Sequence, residues 1–265
     1  MRVVPTVFHD PEVLGQALAE LIADELVASA ERGGAFLLGC PGGRSALSSY
    51  RALAAEVSRR RLDLSHLVIV MMDEYVERDA TSGEFRRIDA AAGHSCVRFG
   101  EIEIVGPLNR AAGPGRGITP DRFWVPDPAS PEQFDKLISD HGGIDLFILA
   151  TGASDGHVAL NPAGTQPGAR TSVVTLAEQT RHDNLATFPS FGNRIENVPL
   201  YGVTVGVGTI CEQSKRVVMV VHGADKAEAT RRLVKAEHYE SDWPATVLSD
   251  CANPQLFIDV AAAHI

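Results

Sequence analysis

The chain has 265 residues, of which 45% are hydrophobic and 22% are charged, and its formal net charge is −10. This composition is typical of a globular protein and excludes the disordered, collagen-like and fibrous classes. The acidic balance argues against a nucleic-acid partner, because such binding calls for a basic surface.

The sequence also predicts the cellular location. The longest apolar run, Leu67–Met72, is far shorter than the roughly 18 residues that a membrane-spanning helix needs, so no membrane partner is expected. The first ten residues, MRVVPTVFHD, lack the apolar segment of a signal peptide. The four cysteines are far apart and form no CxxC pair, which is typical of reduced thiols. We therefore predict a cytoplasmic protein.

Helical patterns alternate with apolar runs along the chain. The first predicted helix has Asp10 as its cap, Pro11 at its first position and Gly33-Gly34 at its end. A second helix is expected after Ser45, which would cap it, and another over residues 226–236. The predicted strands are the apolar runs at residues 35–40, 67–72, 144–150, 217–221 and, as a candidate edge strand, 256–260. This alternation predicts an α/β fold of three layers, in which a mostly parallel, Rossmann-like sheet carries helices on both faces.

Residues 76–130 differ from the rest of the chain, because they are rich in Gly, Pro, Arg and Asp and show little periodicity. Such a stretch inside a compact domain usually serves as a lid, an insertion or an interface. We predict a single domain over residues 1–265 with an irregular insertion at about residues 76–130.

Four polar clusters directly follow predicted strands: Gly42-Gly43-Arg44-Ser45, Asp73-Glu74-Tyr75, Asp155-Gly156-His157 and Asp225-Lys226. In an open α/β sheet, ligands bind beyond the carboxyl ends of the strands. We therefore expect all four clusters at one rim of the sheet.

The first and last clusters suggest an anion site. Gly42 and Gly43 before a helix let backbone N–H groups approach an anion, and Arg44 can add a cationic contact. The pattern is neither GxGxxG nor GxxxxGK[ST], so a dinucleotide or Walker-type site is not supported. The alternative is a plain strand-to-helix turn. Lys226 would oppose the dipole of its helix unless an anion binds there, Asp225 neutralises it or it points into water.

The middle clusters suggest proton transfer. A carboxylate at the end of a buried strand, Asp73 or Glu74, can have a raised pKa and act as a base, whereas one of the two can instead cap the following turn. In the third cluster, Asp155 can orient His157 as a proton shuttle; the alternative is that His157 is a structural histidine. The sequence contains no HExxH, CxxC or GxSxG motif, and we expect no metal site.

Five segments together resemble a known family: CPGGRSALSSYRAL (40–53), MMDEYV (71–76), IDLFILATGASDGHVALN (144–161), TVGVGT (204–209) and HGADKAEA (222–229). They are similar to glucosamine-6-phosphate deaminase/isomerase, within the wider group that includes the 6-phosphogluconolactonases. The resemblance runs from about residue 35 to about residue 250 and weakens over residues 76–130. The DEYV and TVGVGT segments favour the deaminase branch.

The resemblance implies that an amino-sugar phosphate is isomerised from aldose to ketose with loss of ammonia. Asp73 would take the C2 proton and return one at C1, and His157, oriented by Asp155, would open the sugar ring. The phosphate would be held by Gly42, Gly43, Arg44, Ser45 and Lys226. No metal or organic cofactor is expected. The family is often oligomeric, so a homo-oligomer is a candidate state with residues 76–130 as its interface.

Two departures from the family pattern indicate a divergent member. Pro162 stands where the deaminases have a glutamate that supports the ring-opening histidine. The arginine that contacts phosphate in the family falls near Ala186 here; either Arg44 or Arg181 replaces it, or the site accepts a different anion. The alternative functions are hydrolysis of a 6-phosphogluconolactone, which does not need Asp73, and a non-catalytic sugar-phosphate sensor.

Overall fold

The computed structural model describes residues 2–263. Its main sheet has seven strands in which every neighbouring pair is parallel. In chain order the strands are β1 (Pro5–Phe8), β2 (Phe36–Cys40), β3 (Leu67–Met71), β6 (Phe123–Trp124), β7 (Leu146–Leu149), β10 (Val217–Val221) and β11 (Pro254–Asp259). Their spatial order is β1-β11-β10-β7-β2-β3-β6. The predicted α/β class with a parallel sheet is confirmed.

The α-helices are α1 (Pro11–Arg32), α2 (Leu47–Arg60), α3 (Cys96–Phe99), α4 (Gly106–Ala112), α5 (Pro131–Asp140), α6 (Glu178–Thr187), α7 (Val207–Glu212) and α8 (Ala227–Lys235). Helix α1 has the predicted ends, because Asp10 Oδ1 accepts hydrogen bonds from the amides of Glu12 and Val13 and Gly33 adopts a left-handed φ of 74°. Within residues 2–263, no helix is both long and apolar enough to cross a membrane.

The apolar strands are covered on both faces, because alternate residues of each strand point to opposite sides. Leu38, Ile69 and Ile148 pack into one core with α1, α2 and α4. Their neighbours Leu37, Val70 and Leu149 pack into a second core with α5, α7 and α8. These two cores on either side of one sheet form the three predicted layers.

The strand order reverses between β2 and β7. The chain runs outward from β2 through β3 to β6, and from β7 through β10 to β11 in the other direction. The crevice at such a reversal, beyond the carboxyl ends of the strands, is where open α/β sheets bind ligands. The four strands that precede the predicted polar clusters are the neighbours β10-β7-β2-β3. Their carboxyl ends therefore share one rim, as expected.

A second sheet of four antiparallel strands was not predicted. It has the order β5-β4-β9-β8 and contains β4 (Asp73–Arg78), β5 (Phe85–Arg87), β8 (Ser172–Thr175) and β9 (Tyr201–Thr204). Asp73 therefore does not only follow a buried strand: it begins β4, where it lies opposite Thr204. The central pairing of this sheet, β4 with β9, joins residues more than 120 positions apart and leaves no local signal in the sequence.

The stretch at residues 76–130 is more regular than predicted. Residues 96–112 are helical throughout, with a π-helical turn at Gly100–Val105 between α3 and α4. Ile104, Leu108 and Ala112 are buried against α2 at a spacing of four residues. This short helical repeat was masked by the flanking Gly- and Pro-rich segments.

Three further expectations were wrong in detail. Strand β11 lies between β1 and β10, and β1 forms the edge instead. Ser45 does not cap α2: Ala46 holds the cap position and makes no side-chain hydrogen bond there. Lys226 ends a short 3₁₀ turn, Ala224–Lys226, and directly precedes α8. It is therefore not inside the first turn of that helix.

Candidate active site

A cleft of about 620 Å³ opens at the rim where β10, β7, β2 and β3 end. Seven of the eight residues predicted for the site line it: Gly42, Gly43, Arg44, Ser45, Asp73, His157 and Lys226. The eighth, Asp155, stands directly behind His157 and is hydrogen-bonded to it. The fold thus brings together all eight residues that the sequence indicated.

Asp73 presents a buried carboxyl group to this cleft. The residue is only 7% exposed, and the thiol of Cys96 donates a hydrogen bond to Oδ1 at 3.4 Å. The pKa of Asp73 is raised to about 7, chiefly by burial and also by the charge of Glu74, against the lowering effects of the Cys96 hydrogen bond and the His157 charge. A carboxyl group that titrates near neutrality can accept a proton and return it.

Glu74, the next residue, has a different role. Its fully buried carboxylate accepts hydrogen bonds from the amides of Tyr75, Cys96 and Val97 and from the hydroxyl of Ser95, at 2.7–2.9 Å. Glu74 thereby anchors the start of α3 to β4. Of the two alternatives that the sequence left open, Glu74 is the residue that caps a turn and Asp73 is the one that faces the cleft.

We expect Glu74→Ala to destabilise the protein by more than about 3 kcal/mol, because it leaves several buried donors without an acceptor. Urea denaturation monitored by circular dichroism measures this change. The matched control is Glu77→Ala, an exposed residue of the same strand, for which the change should stay within about 0.5 kcal/mol. Equal stabilities of the two variants would contradict the anchoring role.

His157 is held by a fixed hydrogen-bond chain. Its Nδ1 lies 2.7 Å from Asp155 Oδ1, and Asp155 Oδ2 accepts a hydrogen bond of 2.9 Å from Thr180 on α6. Burial by itself would raise the pKa of Asp155, but the hydrogen bonds from His157 and Thr180 and the charge of His157 outweigh it and lower the pKa to about 2. An ionised Asp155 accepts a hydrogen bond from the Nδ1–H group, which leaves Nε2 of His157 for a ligand.

Two glycines make this arrangement possible. At Gly152 a Cβ atom would lie 2.1 Å from Asp155 Oδ1 and 2.4 Å from His157 Nδ1. Gly156 has a φ of 62°, and a Cβ atom there would lie 2.3 Å from the ring of Trp243. The Asp155 and His157 side chains therefore lie against the backbone of Gly152, and Gly156 between them packs closely on a buried indole.

The opposite part of the cleft is suited to an anion. Among residues 2–263, no acceptor pairs with the backbone N–H groups of Gly43, Arg44 or Ser45. Lys226 reaches into the cleft and donates a hydrogen bond of 2.7 Å from Nζ to the carbonyl of Thr151. Burial lowers the pKa of Lys226, while nearby aspartates, Asp225 first, oppose this shift. A bound phosphate would offset the burial of this ammonium group.

Arg181 does not take part in the cleft. Its guanidinium donates to the carbonyls of Ile195 and Val198 at 2.7 and 3.0 Å and so ties α6 to the following loop. Of the two candidate replacements for the family's arginine, Arg44 is the one that lines the cleft.

Helix α6 adds residues that the sequence analysis missed. Thr180 holds Asp155, and Asp183 lines the cleft beside His157. Cys96, which contacts Asp73, was also missed. None of the motifs singled out in the sequence contains these residues. Their roles depend on where α3 and α6 pack.

One group in the described part of the chain has the spacing of metal ligands. Asp155, His157 and Asp183 each offer a ligand atom, and these atoms lie within 4.8 Å of one another. In this structure Nδ1 of His157 and Oδ1 of Asp155 are already bonded to each other. A metal ion would therefore have to use Nε2 of His157 and other carboxylate oxygens.

Comparisons with known proteins identify relatives of this chain. The model of the glucosamine-6-phosphate isomerase/6-phosphogluconolactonase family matches residues 9–257. The glucosamine-6-phosphate deaminase of Beutenbergia cavernae is 35% identical over 245 residues, which cover 92% of this chain and 87% of that protein. The glucosamine-6-phosphate deaminase of Mycolicibacterium smegmatis is 33% identical over 259 residues, or 97% and 90% of the two chains.

Solved structures show the same relationship. A monomeric glucosamine-6-phosphate deaminase superposes with a TM-score of 0.82 at 28% identity, over 99% of each chain. A 6-phosphogluconolactonase from Shewanella baltica reaches 0.68 at 18% identity, over 98% of this chain and 100% of that one, which shows the shared fold alone. With the family model covering nearly the whole chain, the resemblance is confirmed: this chain belongs to the glucosamine-6-phosphate isomerase/6-phosphogluconolactonase family.

Proposed function

We propose that this protein converts an amino-sugar 6-phosphate of the glucosamine-6-phosphate type into a ketose phosphate and ammonia. The observation that carries the proposal is the joint presence in one cleft of Asp73, whose pKa is raised to about 7, and the His157–Asp155 pair. The relatives named as glucosamine-6-phosphate deaminases support the same choice.

The proposed reaction needs two proton-transfer groups and no external oxidant or reductant. His157 opens the sugar ring by moving a proton from the C1 hydroxyl to the ring oxygen. Ionised Asp73 takes the C2 proton, the electron pair moves between C1 and C2, and the ammonium group of the substrate gives a proton to O1, which leaves a neutral enolamine. Return of the proton at C1 leaves an iminium at C2, which adds water and releases ammonia. The substrate's own carbonyl makes the C2 proton acidic enough for a carboxylate base.

The phosphate group would lie against Arg44, Lys226 and the backbone amides of the loop after β2. Charge-assisted hydrogen bonds of this kind anchor the end of the sugar that does not react. Such an anchor sets the distance from the phosphate to C1 and C2, so that both lie within reach of His157 and Asp73.

A panel assay tests the proposal. Glucosamine-6-phosphate, its galacto and manno epimers and 6-phosphogluconolactone are each incubated with the purified protein. Release of ammonium together with ketose phosphate is the expected result. Hydrolysis of the lactone without ammonium release from any amino sugar would overturn the proposal and favour the lactonase alternative. Binding without any turnover would favour a sugar-phosphate sensor.

The phosphate contact is tested separately with Lys226→Ala. We expect KM for the sugar phosphate to rise roughly 10–100-fold, because a hydrogen bond to a charged group is lost. Inorganic phosphate should raise the Tm of the wild-type protein and have a much smaller effect on the variant. The control is Lys136→Ala, which removes an exposed lysine of α5 that pairs with Asp140. If phosphate raises the Tm of Lys226→Ala as much as that of wild type, the assigned contact is wrong.

A further inference from the structure

Among residues 2–263, Cys96 is the one hydrogen-bond partner of the Asp73 carboxyl group. Its Sγ lies 3.4 Å from Oδ1 of Asp73, whereas Oδ2 has no partner in this part of the chain and is open to the cleft. Cys96 is itself only 5% exposed, and burial raises the pKa of its thiol well above the usual value. The thiol therefore keeps its proton and acts as the donor, with Asp73 as the acceptor.

Two neighbours fix Cys96 in this position. Its backbone amide donates a hydrogen bond of 2.9 Å to Oε1 of Glu74, the residue that follows Asp73. On another side Gly42 packs against the thiol, since a Cβ atom at Gly42 would lie 3.5 Å from Sγ. One strand, β4, thus carries both the carboxyl group of Asp73 and the anchor of its partner. The thiol is held against Oδ1 by this local structure.

The two adjacent acids receive donors of different strength. Glu74 accepts one O–H and three N–H hydrogen bonds at 2.7–2.9 Å, whereas Asp73 accepts a single S–H hydrogen bond. An S–H group is a weak donor, and strong donors to the charged form make a carboxylate less basic. A thiol can therefore orient Asp73 and leave its pKa at about 7, where the charges of Glu74 and His157 also act, the first raising it and the second lowering it.

We propose that Cys96 is a positioning residue: the hydrogen bond from its thiol engages Oδ1 of Asp73 and holds Oδ2 toward the cleft as the base for the C2 proton. This inference rests on the proposed function and deepens it, because it assigns the oxygen that reacts. Cys96 acts through Asp73 and exchanges no proton with the substrate. The substrate then has to present its C2 hydrogen on the Oδ2 side of the carboxylate.

Two substitutions of Cys96 separate positioning from packing. Cys96→Ala removes the donor, and Cys96→Ser replaces it with the stronger O–H donor. The matched control is Cys251→Ser, a second buried thiol, which lies outside the cleft and bonds to the carbonyl of Val247. For each protein, kcat and KM for glucosamine-6-phosphate are measured between pH 5 and 9. The carboxyl group of Asp73 is also titrated by carbon NMR in the free protein, with Asp73→Asn to assign its signal.

We expect Cys96→Ala to move the midpoint of the kcat/KM profile upward by about 0.5–1 in pH, because ionised Asp73 loses its donor. Its kcat above that midpoint should fall about 10-fold, since the carboxylate is no longer held in place. Cys96→Ser should recover most of the kcat and move the midpoint below that of wild type. KM should stay near the wild-type value in both variants. The NMR titrations should show the same two opposite shifts.

Three results would overturn the inference. If both Cys96 variants have the profile of Cys251→Ser, then Cys96 does not position Asp73 and the proposed function stands without it. Shifts of both variants in the same direction would show a packing effect only. If wild type releases no ammonium, the proposed function fails and the role of Cys96 in it falls as well. The NMR titration needs no turnover, so it distinguishes this last case from a missing contact between Cys96 and Asp73.

Discussion

Asp73→Asn is expected to lower kcat by roughly 10²–10⁴-fold, because the amide cannot take the C2 proton. For the wild-type protein, kcat/KM should rise as the pH increases through about 7, since only the ionised carboxylate acts as a base. Both are measured by coupling ammonium or ketose-phosphate release to a spectrophotometric assay between pH 5 and 9. A variant that retains wild-type kcat would remove Asp73 from the mechanism.

The same variant should be more stable than wild type at pH 8. Burial raises the pKa of Asp73 to about 7, whereas a carboxyl group of an unfolded chain titrates near its ordinary value of 3.8. The folded state therefore binds this proton more tightly, and the wild-type protein loses stability as the pH rises from about 4 to 7. The loss amounts to at most roughly 4 kcal/mol above pH 7.

Asparagine has no such charge, so the advantage of Asp73→Asn in urea denaturation should be present at pH 8 and absent near pH 4. This pattern also distinguishes the loss of a base from the loss of the fold. Lower stability of the variant at pH 8 would contradict the burial argument.

Gly152→Ala is expected to reduce kcat about 10²-fold or more without unfolding the protein. The added methyl group would lie 2.1 Å from Asp155 Oδ1 and 2.4 Å from His157 Nδ1, and atoms this close must move apart. Displacement of a catalytic group by about 1 Å costs about this factor in rate. The nitrogen NMR signals of His157 should shift as well, because its bond to Asp155 is disturbed.

The matched control for this substitution is Gly168→Ala. Gly168 is exposed, and a Cβ atom there meets nothing within 4 Å. The kcat of the Gly168→Ala variant and the NMR signals of its His157 should remain those of wild type. If Gly152→Ala keeps full activity, then the close approach of the Gly152 backbone is not required for the Asp155–His157 pair.

Much of the fold could be predicted from local patterns. The apolar runs that became β2, β3, β7 and β10 are continuous, because both faces of those strands are covered. That pattern implies a parallel sheet, and a parallel sheet implies that the groups following each strand share a rim. The eight predicted residues, which are spread over residues 42–226, could therefore be assigned to one site without knowledge of their contacts.

The antiparallel sheet could not be predicted in the same way. Strand β4 pairs with β9, whose residues lie more than 120 positions further along the chain. Strands this short, with partners this distant, show no recognisable hydrophobic period in the sequence. The candidate site was hard to predict for the same reason. Asp73 begins β4, and α6 supplies Thr180 and Asp183 from more than 100 residues further along the chain.

The sequence by itself determined the fold class, the rim and the identity of the proton-transfer and anion-binding candidates, because residue type and strand period are local properties. Only the tertiary structure decided how two adjacent acids differ. Glu74 meets the amides that begin α3, whereas Asp73 is buried beside a thiol and titrates near 7. The structure also assigned Arg181 to a loop contact and left Asp183 facing the cleft. Burial and hydrogen-bond partners depend on distant residues, and these set the chemistry of a side chain.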